Sequence, residues 1–244
     1  KTAYEIVSRD CSSDVCSSDL EALFVFALIG VHFSRLGEEL VLWTTSEFGF
    51  ASLDDRFTTG SSMLPQKKNS DVAELARGKT GRLVGNLTSI LTMLKGLPLA
   101  YNRDLQEDKE PLFDSIRTVT LVGRALAGAY TSLTVHADVM EQAASDELLV
   151  AIDIAEELVA EGKPFREAHD IVGSLVGEAV RQGVTLESLV RAHPDLQKFG
   201  GLFAPGEALA RRRSPGASGP QAYRVQGYQL AGDVDAAERR VRGE

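Results

Sequence analysis

Cysteine is nearly absent: the 244 residues hold two, Cys11 and Cys16. That scarcity excludes a disulfide-stapled scaffold and makes a reducing cytoplasm the expected compartment. Positive charge is also in deficit, with 26 Lys and Arg against 35 Asp and Glu and a net charge of -9. A general binder of nucleic-acid backbones needs the opposite balance, so no nucleic-acid partner is expected. Long apolar runs are missing as well. Arg35, Glu38 and Glu39 interrupt the best stretch, residues 22 to 43, short of the ~20 uninterrupted residues that cross a bilayer, and no membrane partner is expected. The opening Lys1-Thr-Ala-Tyr-Glu-Ile-Val7 lacks the basic, apolar and small-residue order of a secretory signal. What remains is ordinary globular composition, 43% apolar and 25% charged, enough for one large domain or two small ones.

The first twenty residues stand apart. Cys11-Ser-Ser-Asp14 recurs as Cys16-Ser-Ser-Asp19, a short tandem repeat that holds both cysteines. Three readings compete: a Cys-x4-Cys metal or redox site, a disordered tail, and a cloning or assembly scar translated in frame. Two cysteines with no nearby histidine fall short of the four ligands of a structural zinc. No metal is therefore expected, and residues 1-20 are set aside as a foreign or disordered tail.

From Glu21 the pattern is helical. Phe26, Ile29, Phe33, Leu36, Leu40 and Trp43 alternate steps of three and four, the spacing of one helical stripe, and predict a helix from about 21 to 45. Ala76, Leu83, Leu87, Ile90, Leu94 and Leu97 repeat the rhythm until Pro98, where the pre-proline constraint ends a second helix. Leu112, Ile116, Val119, Leu126, Tyr130, Leu133 and Met140 predict a third, from Pro111 over about thirty residues. Stripes this long bury one another rather than a sheet. The expected fold is all-α, with a long-helix bundle at residues 21-143 and a smaller helical domain at 144-244. The latter is predicted as helices at about 147-161, 165-182 and 185-192, then a Gly- and Pro-rich loop and a final helix near 220-232.

Between the first two helices lies Thr58-Thr-Gly-Ser-Ser-Met-Leu-Pro-Gln-Lys-Lys-Asn69, within a loop spanning 58-70 that is small and polar in front and cationic behind. Gly60 permits an unusual turn, Ser61 and Ser62 supply hydroxyls, and Lys67, Lys68 and Asn69 add donors where the next helix begins. Such a segment suits a carboxylate or phosphate. A solvated Ser/Lys loop with Asn69 or Ser70 as an N-cap fits the spacing equally well.

Gly60-Ser-Ser-Met-Leu-Pro-Gln-Lys-Lys-Asn69 resembles the signature loop of the fumarase/aspartase superfamily of lyases. Its Gln-Lys-Lys-Asn ending, and Tyr101-Asn-Arg-Asp-Leu-Gln-Glu-Asp-Lys-Glu110, resemble the argininosuccinate lyases within it. Val31-His-Phe-Ser-Arg-Leu-Gly-Glu-Glu-Leu40, Glu47-Phe-Gly-Phe50 and Gly162-Lys-Pro-Phe-Arg-Glu-Ala-His169 are similar too, so the likeness covers residues 21 to about 216. The resemblance implies Ser61 as general base on a closing loop, with Ser62 beside it, Lys67 and Asn69 gripping a substrate carboxylate, and Glu74 orienting a catalytic histidine supplied elsewhere. It implies that Tyr101, Gln106 and Lys109 position the substrate. It further implies argininosuccinate as substrate, arginine and fumarate as products, no cofactor, and a homotetramer with composite active sites. Two departures stand out: Met63-Leu64 where Leu or Ile then Met is usual, and Ser70 in place of a proline, which removes a fixed φ where the helix starts.

The implied elimination takes a weakly acidic proton from the carbon beside a carboxylate and breaks a C–N bond. The charge that builds on that carboxylate needs fixed donors, and a serine hydroxyl serves as base only where positive surroundings lower its pKa. His32, His136, His169 and His193 fall in no catalytic motif of the family and read as capping or surface residues. The family keeps its histidine in an N-terminal half, so the chain alone is expected to be inactive. Judged without the resemblance, Tyr101 is an aromatic at the bundle end, Gln106 and Lys109 an exposed i,i+3 pair, and Arg211-Arg-Arg213 a solvated basic turn. Two rivals remain: a lyase of another succinyl adduct such as adenylosuccinate, and a non-catalytic, crystallin-like relative.

Overall fold

The computed structural model describes residues 17–60, 68–98 and 102–243. The chain divides into two compact units, 1–139 and 140–244.

Three long helices form the first unit: α1 (Ser17–Trp43), α2 (Asp71–Leu94) and α3 (Lys109–Thr131). A Cβ added at Gly30 would come within 2.6 Å of Leu83 Cδ1, and one at Gly37 within 2.6 Å of the Ala73 carbonyl oxygen. The Thr80 hydroxyl donates to the Gly30 carbonyl at 2.6 Å. These pairings run in opposite chain directions, so α1 and α2 are antiparallel, and their backbones meet this closely only because glycine stands at both crossings. Against α3 the order is parallel: Phe33 lies over Gly123, and the Tyr130 hydroxyl donates to the Leu36 carbonyl at 2.9 Å. Leu40, Leu53, Ala73, Ala76, Val122, Leu126 and Ala129 are buried between the helices.

The observed seams differ from the predicted stripes in instructive places. On α1 the buried line is Leu23, Ala27, Gly30, Gly37 and Leu40, while Leu36 is exposed. A search for large apolar residues passes over the glycines that face the partner helix. The third helix stops at Thr131 rather than near Met140; Leu133 follows it, and Met140 lies on a separate short helix, α4 (Ala137–Ala143). Its seam includes buried Ser115 and Thr118. Asn86 Nδ2 donates to Ser115 Oγ at 2.9 Å and to Asp114 Oδ2 at 3.0 Å, so polar contacts continue the seam where apolar spacing lapses. α1 also takes in residues 17–20, the end of the stretch set aside above. By length and composition alone, Asp19–Trp43 is long and apolar enough to cross a membrane, so the expectation that no stretch is does not hold; the core helix of a soluble protein passes the same test, and the feature does not indicate a membrane protein.

Among the described residues, four two-residue strands complete this unit. β1 (Ala51–Ser52) pairs antiparallel with β4 (Thr134–Val135), and β2 (Thr59–Gly60) with β3 (Lys68–Asn69). His136 locks the first pair: its amide donates to the Phe50 carbonyl at 2.9 Å, and its Nδ1 lies 2.7 Å from the Gly49 carbonyl. A carbonyl only accepts, so Nδ1 carries the proton, and in the neutral ring Nε2 accepts from Ser52 Oγ at 3.2 Å. This histidine is a structural clasp.

The second unit holds α5 (Ala151–Ala160), α6 (Phe165–Gln182), α7 (Leu186–Ala192), α8 (Glu207–Arg211) and α9 (Pro220–Arg242). Ile154, Leu158, Val172, Leu186, Val190, Leu196 and Leu202 form its core. α6 ends at Gly183 in the left-handed region, φ 64°. The start of α7 is capped twice: Thr185 Oγ1 accepts from the Ser188 amide at 3.2 Å, and Glu147 Oε1 from the Leu186 amide at 2.8 Å. Arg211-Arg-Arg213 is not a solvated turn. Arg212 makes a two-pronged contact with buried Asp153, 2.8 Å on each prong, and Arg211 reaches Glu157 at 3.0 Å. α9 runs ten residues beyond its predicted end near 232.

Candidate active site

The residues singled out by sequence fall into two groups, one at each end of the three-helix unit. The first is the stem of the signature segment. β2 and β3 pair Thr59 with Asn69 and Gly60 with Lys68, bringing together the two chain ends that flank 61–67. Ser61, Ser62 and Lys67 lie outside the described residues.

The stem is fastened on three sides. A 3-10 turn, Asp55–Phe57, precedes it, and Arg56 grips Asp54 through Nε at 2.9 Å and Nη2 at 3.1 Å, while the Arg56 amide donates to the same carboxylate at 2.9 Å. These bonds from Arg56 hold the Asp54 carboxyl down at about 2. Lys68 pairs with Asp55 across the stem, and the Thr59 hydroxyl donates to Asp71. Phe57 packs onto α3 at Gly128.

Asn69 is half-buried and leads into Ser70, which begins α2 without capping it through its side chain. Ser70 has φ -81° and ψ 51°, a φ close to what a proline would impose. Glu74 lies on the first turn of α2, exposed, its amide bonded to the Ser70 carbonyl at 3.0 Å. The hydrogen bond from Arg77 to Glu38 raises the Arg77 pKa, and the Glu74 carboxylate adds the smallest contribution.

The second group sits where α2 ends and α3 begins. Tyr101 lies outside the described residues. Gln106 is exposed on a 3-10 helix, Arg103–Asp108, that runs directly into α3. Lys109 is half-buried and engaged: its Nζ lies 2.8 Å from Asp108 Oδ2 and 3.2 Å from Asp19 Oδ2. The hydrogen bond to Asp108, with a smaller contribution from Asp19, raises the Lys109 pKa against the opposing effect of burial. Lys109 is therefore not half of an exposed i,i+3 pair. Asp108 itself is fully buried, and sequence reasoning missed it; a carboxylate beside a lysine at a helix start reads as a solvated cap. A cavity of about 610 Å³ opens here beside Asn86, Met93, Glu107, Glu110 and Asp114.

The two groups do not meet within one chain. Asn69 and Glu74 stand at the start of α2, Gln106 and Lys109 beyond its end, and α2 has 24 residues, about 36 Å of helix at about 1.5 Å per residue.

Comparison with known proteins gives this arrangement its class. EDDS lyase in complex with formate superimposes with a TM-score of 0.75 at 25% identity, over 91% of this chain and 47% of that one. A class II fumarase from Schistosoma mansoni superimposes with a TM-score of 0.64 at 18% identity, over 77% of this chain and 38% of that one. A lyase family model matches residues 13–85, and fold and match together mark the class, an all-α lyase of the fumarase/aspartase superfamily. A second model, argininosuccinate lyase C-terminal, matches residues 148–209. The argininosuccinate lyase of Herpetosiphon aurantiacus is 51% identical over 212 residues, 85% of this chain and 46% of the relative. That of Frankia casuarinae is 52% identical over 214 residues, 84% of this chain and 46% of the relative. The chain belongs to the argininosuccinate lyase family. It spans about half the length of the curated relatives it matches.

Proposed function

We propose that this chain is the C-terminal half of a cytoplasmic argininosuccinate lyase, which eliminates fumarate from argininosuccinate and releases arginine. Ser61, as an alkoxide, takes a proton from the succinyl carbon next to a carboxylate. The electron pair spreads onto that carboxylate, where Lys67, Asn69 and amides of the segment stabilise the charge. Collapse to fumarate expels the guanidinium nitrogen, which receives its proton from a histidine oriented by Glu74 and supplied by chain outside these residues. Ser62 adds a hydroxyl donor, while Tyr101, Gln106 and Lys109 hold the remainder of the substrate. No cofactor enters the reaction.

The observation that carries this reading is the separation of the two motif groups along α2. If both belong to one active site, that site draws on more than one copy of the chain. Phe24, Leu28 and Val31 on α1, Leu91 on α2, and Phe113 and Leu121 on α3 are exposed. Apolar surface on this scale supports further burial of the long helices in an assembly, and a homotetramer is the assembly proposed. The twofold higher identity to argininosuccinate lyases than to EDDS lyase favours argininosuccinate over other adducts.

The test restores the N-terminal half of a curated relative to this chain and follows fumarate absorbance with argininosuccinate and with adenylosuccinate. Turnover of the first alone, lost in Ser61→Ala, is expected. Full activity in Ser61→Ala removes the serine base, and turnover of adenylosuccinate alone reassigns the substrate.

A further inference from the structure

Asp108 has the unusual position of a carboxylate with no exposure at all. Burying a charged carboxylate costs several kcal/mol unless partners compensate. Its position at the start of α3 would ordinarily direct the side chain to the free amides of the first turn. Here the 3-10 helix continues straight into α3, Asp108 keeps helical dihedrals (φ -73°, ψ -25°), and its side chain caps nothing. Instead Oδ2 accepts from Lys109 Nζ at 2.8 Å, and Oδ1 has no hydrogen-bond partner among the described residues. The asymmetry within the pair is informative: the carboxylate is enclosed while 45% of the Lys109 side chain stays accessible. A buried carboxylate thus holds the ammonium of a side chain that stays partly accessible. An ammonium has three donors; one goes to Asp108 and a second, longer contact of 3.2 Å to Asp19 on α1.

We propose that Asp108 is a positioning residue for Lys109, fixing its ammonium at this end of the bundle so that the remaining donor meets a carboxylate of the substrate. Asp19 is a weaker tether. The inference rests on the reading above that Lys109 contacts substrate. A lysine stem loses considerable rotamer freedom when it binds. Asp108 removes much of that freedom before the substrate arrives, so its effect falls on binding.

The test has two parts. Competitive acylation with acetic anhydride, read lysine by lysine by mass spectrometry, reports how firmly Lys109 is held in this chain without need of activity. At pH 9.5, Lys109 is expected to react at least threefold more slowly than exposed Lys95. Asp108→Asn is expected to raise its rate at least threefold, and Asp19→Asn by less. Equal rates for Lys109 and Lys95 in the unsubstituted chain overturn the proposal even where Asp108→Asn fails to fold, as does a larger effect of Asp19→Asn than of Asp108→Asn. In the protein restored to full length, Asp108→Asn is expected to raise KM for argininosuccinate at least tenfold with kcat within threefold. An unchanged KM overturns the positioning role. A full-length protein that acylates as expected yet cleaves no argininosuccinate overturns the functional reading instead, so the two failures are separate.

Discussion

Gly128 on α3 lies directly beneath the ring of Phe57: a Cβ added there would come 2.5 Å from Phe57 Cζ and 2.9 Å from Cε1. Phe57 ends the 3-10 turn that leads into β2, so this contact ties the stem of the signature segment to the bundle. Gly128→Ala is expected to displace the ring. Overpacking costs about 1–3 kcal/mol, and the helix gains up to about 1 kcal/mol from losing a glycine, which leaves a net loss of about 1 kcal/mol. A melting temperature lower by a few degrees, with faster trypsin cleavage after Arg56, is the expected result; an unchanged cleavage rate would detach Phe57 from the stem.

Acid should loosen the same stem. Asp54 titrates at about 2 because Arg56 holds its carboxylate, below the ~3.9 of an unfolded aspartate. Its contribution is therefore complete above about pH 4 and lost as the pH falls towards 2. Limited proteolysis by pepsin is expected to report a turn that loosens progressively from pH 4 to pH 2, and Asp54→Asn to weaken that dependence while the Thr59–Asp71 and Phe57–Gly128 contacts keep the stem in place. A pH-independent stem in the unsubstituted chain would contradict the role of the Asp54–Arg56 contact.

The helix ends show what was legible in the sequence and what was not. Gly162, Pro164 and Gly183 punctuate α6, and its observed bounds, Phe165–Gln182, are those predicted. The third helix carries no such stop, and the apolar rhythm runs across Ser132 into β4 and α4. β2 and β3 went unseen because two residues per strand leave no alternation to detect. Ser61, Asn69 and Lys109 stood out by motif, whereas Asp108 did not, since its burial depends on tertiary packing that the local sequence does not show.

Removing Arg212 should strand a charge in the second unit. Asp153 is 3% exposed and makes two 2.8 Å bonds to Arg212. Breaking a buried pair by deleting one partner costs about 3–5 kcal/mol; Arg212 retains a third of its surface, which places Arg212→Met near the lower figure. The pair Asp153→Leu with Arg212→Met is expected to recover most of the loss, because no uncompensated carboxylate remains. Urea unfolding of both variants checks this, and a double variant no better than Arg212→Met would contradict it.

Asn69 and Lys109 stand at opposite ends of a 24-residue helix, so the active site proposed above combines them from different copies. The direct test mixes two full-length variants, Ser61→Ala and Lys109→Ala, each inactive alone, under conditions that exchange subunits, with hybrid formation verified by native mass spectrometry. Fumarate release returning in the hybrids, at a fraction of the unsubstituted rate, is the predicted result. Hybrids that form and remain as inactive as their parents would contradict it.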